Sequence, residues 1–330
     1  MNFAVLGSGR LGTSLAKFLG EREEVYLWGR DEALIKRIQV DRTNDFYLPN
    51  VKLPTKVRAS YDLDHVLSDS DVVLLAVPSH AYVEVLDECV DYLGDMEAVI
   101  CGTTGFDPET SRLLSQEYLE RLESLNNYFI LSGPAPPHEL ADQQLSNMVL
   151  TGRNEHNRQR LAELLYRNYL RVYEHDDIKG TEITTAVNNL LALVGGLVEG
   201  LGLHSGTRGA LLNRGIFEAK ELVRNEDGEP ETVFTLCGLG TALSIGTSTT
   251  SRNYRLGVAL GKGKPLEQAR SSINGCLEAI PISRCVHKRI LKGEIKAPLL
   301  TEIYGIIHET IDPYNSLEKI INLKYPPGEA

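Results

Sequence analysis

The chain has 330 residues, 42% hydrophobic and 24% charged, which is ordinary globular composition and long enough for two domains. A net charge of −11 at pH 7 argues against a nucleic-acid partner, which needs a basic face, but not against a phosphorylated small molecule, for which a local pair of basic residues suffices. The five cysteines, Cys89, Cys101, Cys237, Cys276 and Cys285, form no Cys-x-x-Cys pair, so neither a structural metal site nor a disulfide framework is signalled, and reduced thiols in a cytoplasmic protein are expected.

The N-terminus enters a strand directly, so no secretory leader is read. No apolar run reaches ~18 residues. The longest, 186–203, is interrupted by Asn188, Asn189, Glu199 and glycines, and no membrane span is expected.

Residues 2–6 read as a short buried strand, followed at once by Gly7-Ser8-Gly9-Arg10-Leu11-Gly12. Leu11, Leu15, Phe18 and Leu19 then fall at helical spacing, and residues 25–28 form the next strand. This is a G-x-G-x-x-G turn in the strand–turn–helix–strand setting that gives the motif its meaning. Gly7 permits the tight turn, Gly9 leaves room for a pyrophosphate, and Gly12 lets the helix approach the strand. The helix N-terminus, from Arg10 and Leu11, offers N–H groups and a positive dipole end to phosphate. NAD or NADP is the expected cofactor.

The second strand ends in Gly29-Arg30-Asp31. An acid here favours NAD and an arginine tolerates the 2′-phosphate of NADP, so the choice between them stays open. Arg30 is the better candidate to lie along the adenine or its phosphate, with Asp31 placed to cap the helix from residue 32 to 41. Residues 43–54 are polar and turn-rich. A short strand at 56–59 and a short helix at 62–67 follow. The apolar run 71–77 reads as a central parallel strand. It ends in Pro78-Ser79-His80, where ligands of such sheets bind, although a histidine in this position is more often a surface loop residue. Residues 98–101 form another strand before a small-residue turn at 102–106. Pro108 then opens a helix running to about residue 125. Residues 128–131, 148–150 and 170–173 are the last strands.

From about residue 176 the pattern is helical. A long helix starts at Asp177 or Thr181 and runs through Leu190, Leu193 and Leu197, softened by Gly195, Gly196 and Gly200. A second spans 211–223. A Ser/Thr-rich loop at 244–251 leads to Arg252-Asn253 at a helix entry, and short helices end in a Pro-Pro-Gly tail. The expected class is α/β: a Rossmann-type doubly wound sheet forming a dinucleotide-binding domain at 1–176, then an all-helical substrate-binding domain at 177–330.

With these stretches in order, the whole chain resembles NAD(P)-dependent glycerol-3-phosphate dehydrogenase. Matching stretches are the glycine turn, Leu27-Trp28-Gly29-Arg30, Val77-Pro78-Ser79-His80, Ser132-Gly133-Pro134, Glu139-Leu140-Ala141, Ala186-Val187-Asn188-Asn189, Asn213-Arg214-Gly215, Gly238-Leu239-Gly240 and Ser251-Arg252-Asn253. The resemblance implies hydride transfer between nicotinamide and dihydroxyacetone phosphate or glycerol 3-phosphate, and a homodimer formed through the helical domain. It places the cofactor on Gly7, Gly9, Arg10, Leu11, Gly12, Arg30, Pro78, Arg252 and Glu278. It places the substrate on Gly133, Ala135, Asn189, Ser251, Arg252 and Asn253, and it implies no metal.

The resemblance breaks at three positions. The family's general-acid lysine corresponds to Asn188, a second lysine to Thr104, and an aspartate to Thr241, so the catalytic residues are unassigned. His138, His204, Arg208 and Glu182 are the nearest ionisable replacements, each with a plainer structural reading. Three functions stay open: a dehydrogenase of this group, a non-catalytic nucleotide-binding sensor or partner protein, and a divergent dehydrogenase for another carbonyl or imine.

Overall fold

A computed structural model describes residues 1–324, so the Pro-Pro-Gly tail lies outside the described residues. The chain forms two compact units. The first is Met1–Thr103 with Leu114–Ile178; the second is Thr104–Leu113 with the chain from Lys179 onward. This differs from a single break near residue 176, because the short segment 104–113 leaves the first unit and joins the second.

The first unit contains β1 (Asn2–Leu6), α1 (Arg10–Leu19), β2 (Glu24–Trp28), α2 (Glu32–Asp41), β3 (Thr43–Asn44), β4 (Leu48–Lys52), β5 (Val57–Ser60), α3 (Leu63–Ser68), β6 (Val72–Leu75) and α4 (Ser79–Leu93). It continues with β7 (Ala98–Cys101), α5 (Leu114–Leu122), β8 (Tyr128–Ser132), α6 (Pro137–Ala141), β9 (Ser146–Thr151), α7 (Glu155–Leu165) and β10 (Leu170–His175). Eight strands make one sheet in the order β10-β9-β8-β7-β6-β1-β2-β5. All neighbours are parallel except β8 and β9, where Ile130 faces Thr151. β1 pairs with β2 on one side and β6 on the other, so the winding reverses at β1, the switch point where such sheets bind ligands. Phe3 and Val5 enter the apolar core on one face, and Ala4 and Leu6 enter the core on the other. That alternation, with every residue apolar, marks a strand covered by helices on both sides.

Two stretches differ from the sequence expectation. The turn-rich run 43–54 holds the antiparallel pair β3–β4. The helix expected from Pro108 is confined to α5. Before it, Asp107 Oδ2 accepts from the Thr110 backbone N–H at 2.7 Å and hydroxyl at 2.6 Å, and Ser111 sits at φ +64. Asp107 N–H also reaches Arg112 O at 3.0 Å, so the segment turns back on itself. A short side chain that bonds its own backbone three residues on competes directly with helix formation.

The second unit contains α8 (Ile178–Gly200), α9 (Ser205–Asn225), a 3₁₀ turn (Pro230–Phe234), a π turn (Leu236–Gly240), α10 (Thr241–Ile245), α11 (Arg252–Gly261), α12 (Leu266–Ser271), α13 (Ala279–Gly293), α14 (Pro298–His308) and α15 (Pro313–Ile321). α8 is its axis: Ile183, Val187, Leu190, Leu191, Val194 and Leu197 are fully buried. At 23 residues it is long and apolar enough to cross a membrane, contrary to the sequence expectation, but 83% of its apolar window is buried inside the protein, as in a core helix. Its glycines act as contact points. A Cβ on Gly196 would lie 1.9 Å from Tyr254 O, and one on Gly257 would lie 2.0 Å from Leu193 O, so α8 and α11 meet backbone to backbone.

Glu218 on α9 holds the start of α14. Its two carboxylate oxygens accept from the Leu299 and Leu300 N–H groups, each at 2.9 Å. α14 has no side-chain cap of its own, so this carboxylate from another helix satisfies two orphan donors. Burial pushes Glu218 up to about 7 from 4.5, against the two N–H groups and Arg214, which pull it down. A carboxyl raised on folding contributes stability below its unfolded value and loses it as pH rises through its folded value. Between pH 4 and 8, wild-type stability relative to Glu218→Gln should therefore fall by about 3 kcal/mol in urea unfolding. Parallel pH curves for the two proteins would remove the assignment.

Candidate active site

The glycine turn joins β1 to α1. Gly7 adopts φ +116 and donates to Trp28 O at 3.0 Å, which ties the turn to the end of β2. A Cβ on Gly12 would lie 1.8 Å from Gly7 O, whereas one on Gly9 would meet nothing within 4 Å. Gly7 and Gly12 are thus required by the protein itself, while the space above Gly9 is open. α1 has no side-chain cap and no acid in its first turn, unlike α2, α3 and α7, which are capped by Asp31, Asp62 and Asn154. Its first N–H groups suit an anion.

The hairpin that the sequence concealed braces this turn. Asn44 Nδ2 donates to Ser8 O and to Thr13 Oγ1, both at 2.8 Å, and Arg10 Nε reaches Tyr47 O at 3.2 Å. Gly29 is also part of the fit, since a Cβ there would lie 2.4 Å from Ser8 Oγ. Leu11 packs against the core of one sheet face.

Beyond the sheet, Pro78 is exposed and precedes α4 in an extended conformation, and His80 is exposed. Thr103 Oγ1 donates to Val77 O at 2.8 Å, tying the ends of β6 and β7; no sequence signal marked it. Arg30 lies 6.0 Å over the Trp28 ring and pairs with Glu84 at 2.7 Å and Glu88 at 3.6 Å. Asp31 caps α2 through Leu34 N–H, as the spacing suggested. Gly133, at φ +116, turns the chain after β8, and Ala135 is buried in the core. Both lie in the first unit.

The remaining candidates gather in the second unit around one chain of amides. Ala279 N–H donates to Asn253 Oδ1 at 3.2 Å, Asn253 Nδ2 to Asn189 Oδ1 at 2.8 Å, and Asn189 Nδ2 to Thr185 O at 3.0 Å and Thr104 Oγ1 at 3.4 Å. Ser251 caps α11, presenting Arg252 at its first turn, and a Cβ on Gly275 would lie 2.5 Å from Arg252 Nη1. Next to Gly275, Cys276 Sγ donates to Glu278 Oε1 at 3.3 Å. Burial, then Glu278, pushes the Cys276 thiol up to about 12, so it is neither a thiolate nucleophile nor a base near neutral pH.

Asn188 sits beside this chain, 1% exposed. Its Nδ2 donates to Cys237 O at 2.9 Å and Gly238 O at 3.2 Å, while its Oδ1 has no partner among the described residues. The carbonyl acceptors fix which end of the amide faces the π turn. Thr241 Oγ1 donates to Leu236 O of the same turn at 2.9 Å. Asn188 and Thr241 therefore hold one π turn, and Thr104 meets the neighbouring Asn189. All three are neutral.

Three of the four alternative ionisable residues have charged partners of their own. His138 is exposed, 3.9 Å from Glu139. His204 is exposed and precedes α9 without a side-chain cap bond. Arg208 lies 3.9 Å from Glu199 and 5.9 Å over the Tyr254 ring. Glu182 is buried and acts electrostatically on Arg289, which also meets Glu226 at 3.0 Å and lies 4.1 Å over Phe106. Among the described residues, no group of three or more His, Cys, Asp or Glu is placed to hold a metal.

The profile of the NAD-dependent glycerol-3-phosphate dehydrogenase N-terminus matches residues 2–158, and that of the C-terminus matches residues 177–318. The chain belongs to this family. The glycerol-3-phosphate dehydrogenase [NAD(P)+] of Carboxydothermus hydrogenoformans is 32% identical over 315 residues, covering 95% of this chain and 94% of that one. The crystal structure of glycerol-3-phosphate dehydrogenase from Coxiella burnetii superposes with a TM-score of 0.93 at 32% identity, covering 98% of this chain and 99% of that one. The yeast glycerol-3-phosphate dehydrogenase structure, at 22% identity and a TM-score of 0.83, shares the fold. In this glycerol-3-phosphate dehydrogenase family member the N-terminal match carries the glycine turn and the C-terminal match carries the Asn189–Asn253 chain. Thr104 falls within the N-terminal match but packs in the second unit.

Proposed function

We propose that this protein is an NAD(P)-dependent oxidoreductase acting on a small phosphorylated carbonyl or its alcohol, with dihydroxyacetone phosphate and glycerol 3-phosphate as the reference pair. The observation that carries this reading is the glycine turn, with open space above Gly9 and an uncapped α1, in a chain matched by both halves of one dehydrogenase family. These residues fit a pyrophosphate: Gly9 leaves room, and the α1 N–H groups and Arg10 supply donors and charge. When bound, the nicotinamide supplies or accepts the hydride.

The second unit would take the substrate. Arg252, at the start of α11, suits a phosphate through its planar fork and the adjacent helix N-terminus. Asn189 and Asn253 are held by each other and by Ala279 N–H, so they can orient hydroxyl groups without rearranging. A carbonyl under reduction develops negative charge on its oxygen, which needs a donor and then a proton. Thr104, Asn188 and Thr241 stand where the resemblance puts two lysines and an aspartate, and none of the three can release a proton near neutral pH. The proton then comes from water, and the rate lies at the low end of the enzymatic range.

We extend the proposal to a homodimer working in the cytoplasm. Free cysteines support a reducing compartment, and Phe234, Leu239 and Leu243, all exposed, give the second unit apolar surface for self-association. The reading of the reaction is tested by absorbance at 340 nm with NADH or NADPH and dihydroxyacetone phosphate. Turnover that saturates in both reactants is expected. Saturable binding of the dinucleotide with no oxidation of it by any small phosphorylated ketone would refute the oxidoreductase reading.

A further inference from the structure

The identity of the dinucleotide can be read from what surrounds Arg30. In sheets of this type the residues at the end of β2 meet the adenosine ribose, an acid accepting from its 2′-hydroxyl and an arginine accommodating a 2′-phosphate. Arg30 is the arginine in that place, but its charge is already engaged. Nη1 lies 2.7 Å from Glu84 Oε2 and Nη2 lies 3.6 Å from Glu88 Oε1. Glu84 and Glu88 are one turn apart on α4 and present both carboxylates to one guanidinium. The next cation at this corner, Lys36, is likewise paired with Glu32 at 2.6 Å while lying 5.6 Å over the Tyr61 ring. Tyr61 O accepts from Trp28 Nε1 at 3.1 Å, so the two cations flank one aromatic corner. Asp31 adds a further carboxylate. Its Oδ1 takes Leu34 N–H at 2.9 Å.

We propose that Glu84 and Glu88 make this chain select NAD(H) over NADP(H), by neutralising Arg30 and repelling the 2′-phosphate. This rests on the reading that a dinucleotide lies on the Gly7–Gly12 turn. A 2′-phosphate would have to displace Glu84 and Glu88 from Arg30 and then sit beside the two freed carboxylates. A ribose hydroxyl meets no such repulsion, and carboxylates can accept from it. The pairs are solvent-exposed, so each alone is weak, but a dianion held about 4 Å from a carboxylate is disfavoured about tenfold even in water.

The test is binding, measured by calorimetry and by fluorescence of Trp28, the single tryptophan, on the intact protein with NADH and NADPH separately. NADH should bind at least about tenfold more tightly than NADPH. In the Glu84→Gln/Glu88→Gln double variant the preference should shrink about tenfold, and Arg30→Ala made in that background should restore it. Equal or tighter NADPH binding by the wild-type protein would overturn the proposal, as would an unchanged ratio in the double variant. Should the variant fold poorly, the wild-type ratio alone decides. Binding of neither dinucleotide would overturn both this proposal and the nucleotide reading beneath it, whereas NADPH binding in preference to NADH overturns this one only.

Discussion

Introduced together, Asn188→Lys, Thr104→Lys and Thr241→Asp should raise the rate of dihydroxyacetone phosphate reduction by two orders of magnitude or more. A positioned proton donor is worth about 10²–10⁴ in rate, and a cation facing the developing alkoxide adds to it. The geometry makes the three changes interdependent. Asn188 is 1% exposed and holds Cys237 O and Gly238 O, while Thr241 holds Leu236 O of the same π turn. A lysine at 188 without a carboxylate at 241 is a buried ammonium with only carbonyl dipoles for company. The single variant Asn188→Lys should therefore melt well below wild type, by an amount corresponding to about 3 kcal/mol, and Thr241→Asp should recover much of that loss. Stopped-flow or steady-state rates with melting curves check both parts. A triple variant that is folded, binds NADH and turns over no faster than wild type would show that these three positions do not surround the reacting carbonyl.

Gly12→Ala and Gly9→Ala should fail in opposite ways. The Cβ at residue 12 would lie 1.8 Å from Gly7 O, and that carbonyl cannot move aside because Gly7, at φ +116, is fixed by its own bond to Trp28 O. One clashing atom is a backbone carbonyl oxygen and the other a Cβ fixed directly to the backbone, so no rotamer relieves them. The expected cost is about 3 kcal/mol or more, read as a large drop in melting temperature of the unliganded protein. Gly9→Ala meets no atom of the described residues within 4 Å and has an ordinary backbone conformation, so its melting temperature should match wild type. It should nonetheless weaken NADH about 100-fold, because its methyl group points into the space a pyrophosphate would fill. Equal losses of stability in the two variants, or NADH binding by Gly9→Ala at wild-type strength, would contradict this division of labour.

The glycine turn was legible because its whole logic is local: strand, turn and helix lie within a few residues of one another, and the spacing of Gly7, Gly9 and Gly12 reports backbone requirements. The sheet strands were legible for a related reason, since a strand buried on both faces, such as 72–75, must be apolar throughout. What the sequence hid depends on partners far along the chain. Nothing near Phe106 says that it packs beneath Arg289, or that Lys288 reaches Ser111 at 3.2 Å, yet these contacts help hold 104–113 in the second unit. Pro108 suits a helix start, and only the Asp107 side chain, bonded to Thr110, redirects it. Arg30 was read as the residue lying along the adenine or its phosphate, and its pairing was hidden because its carboxylate partners come 54 residues later and beyond. Asn44, which braces the turn from within a polar stretch, left no trace in the pattern. Gly195 and Gly196 were legible only as residues that soften a helix; their close approach to Gly246 after α10 and to Tyr254 of α11 depends on segments far along the chain.

Diffraction from crystals grown with NADH shows whether a dinucleotide lies across the Gly7–Gly12 turn. Pyrophosphate density should lie over Gly9, with its oxygens within about 3.2 Å of the first N–H groups of α1. Density for NADH elsewhere on the protein, with the turn bare at saturating concentration, would contradict it.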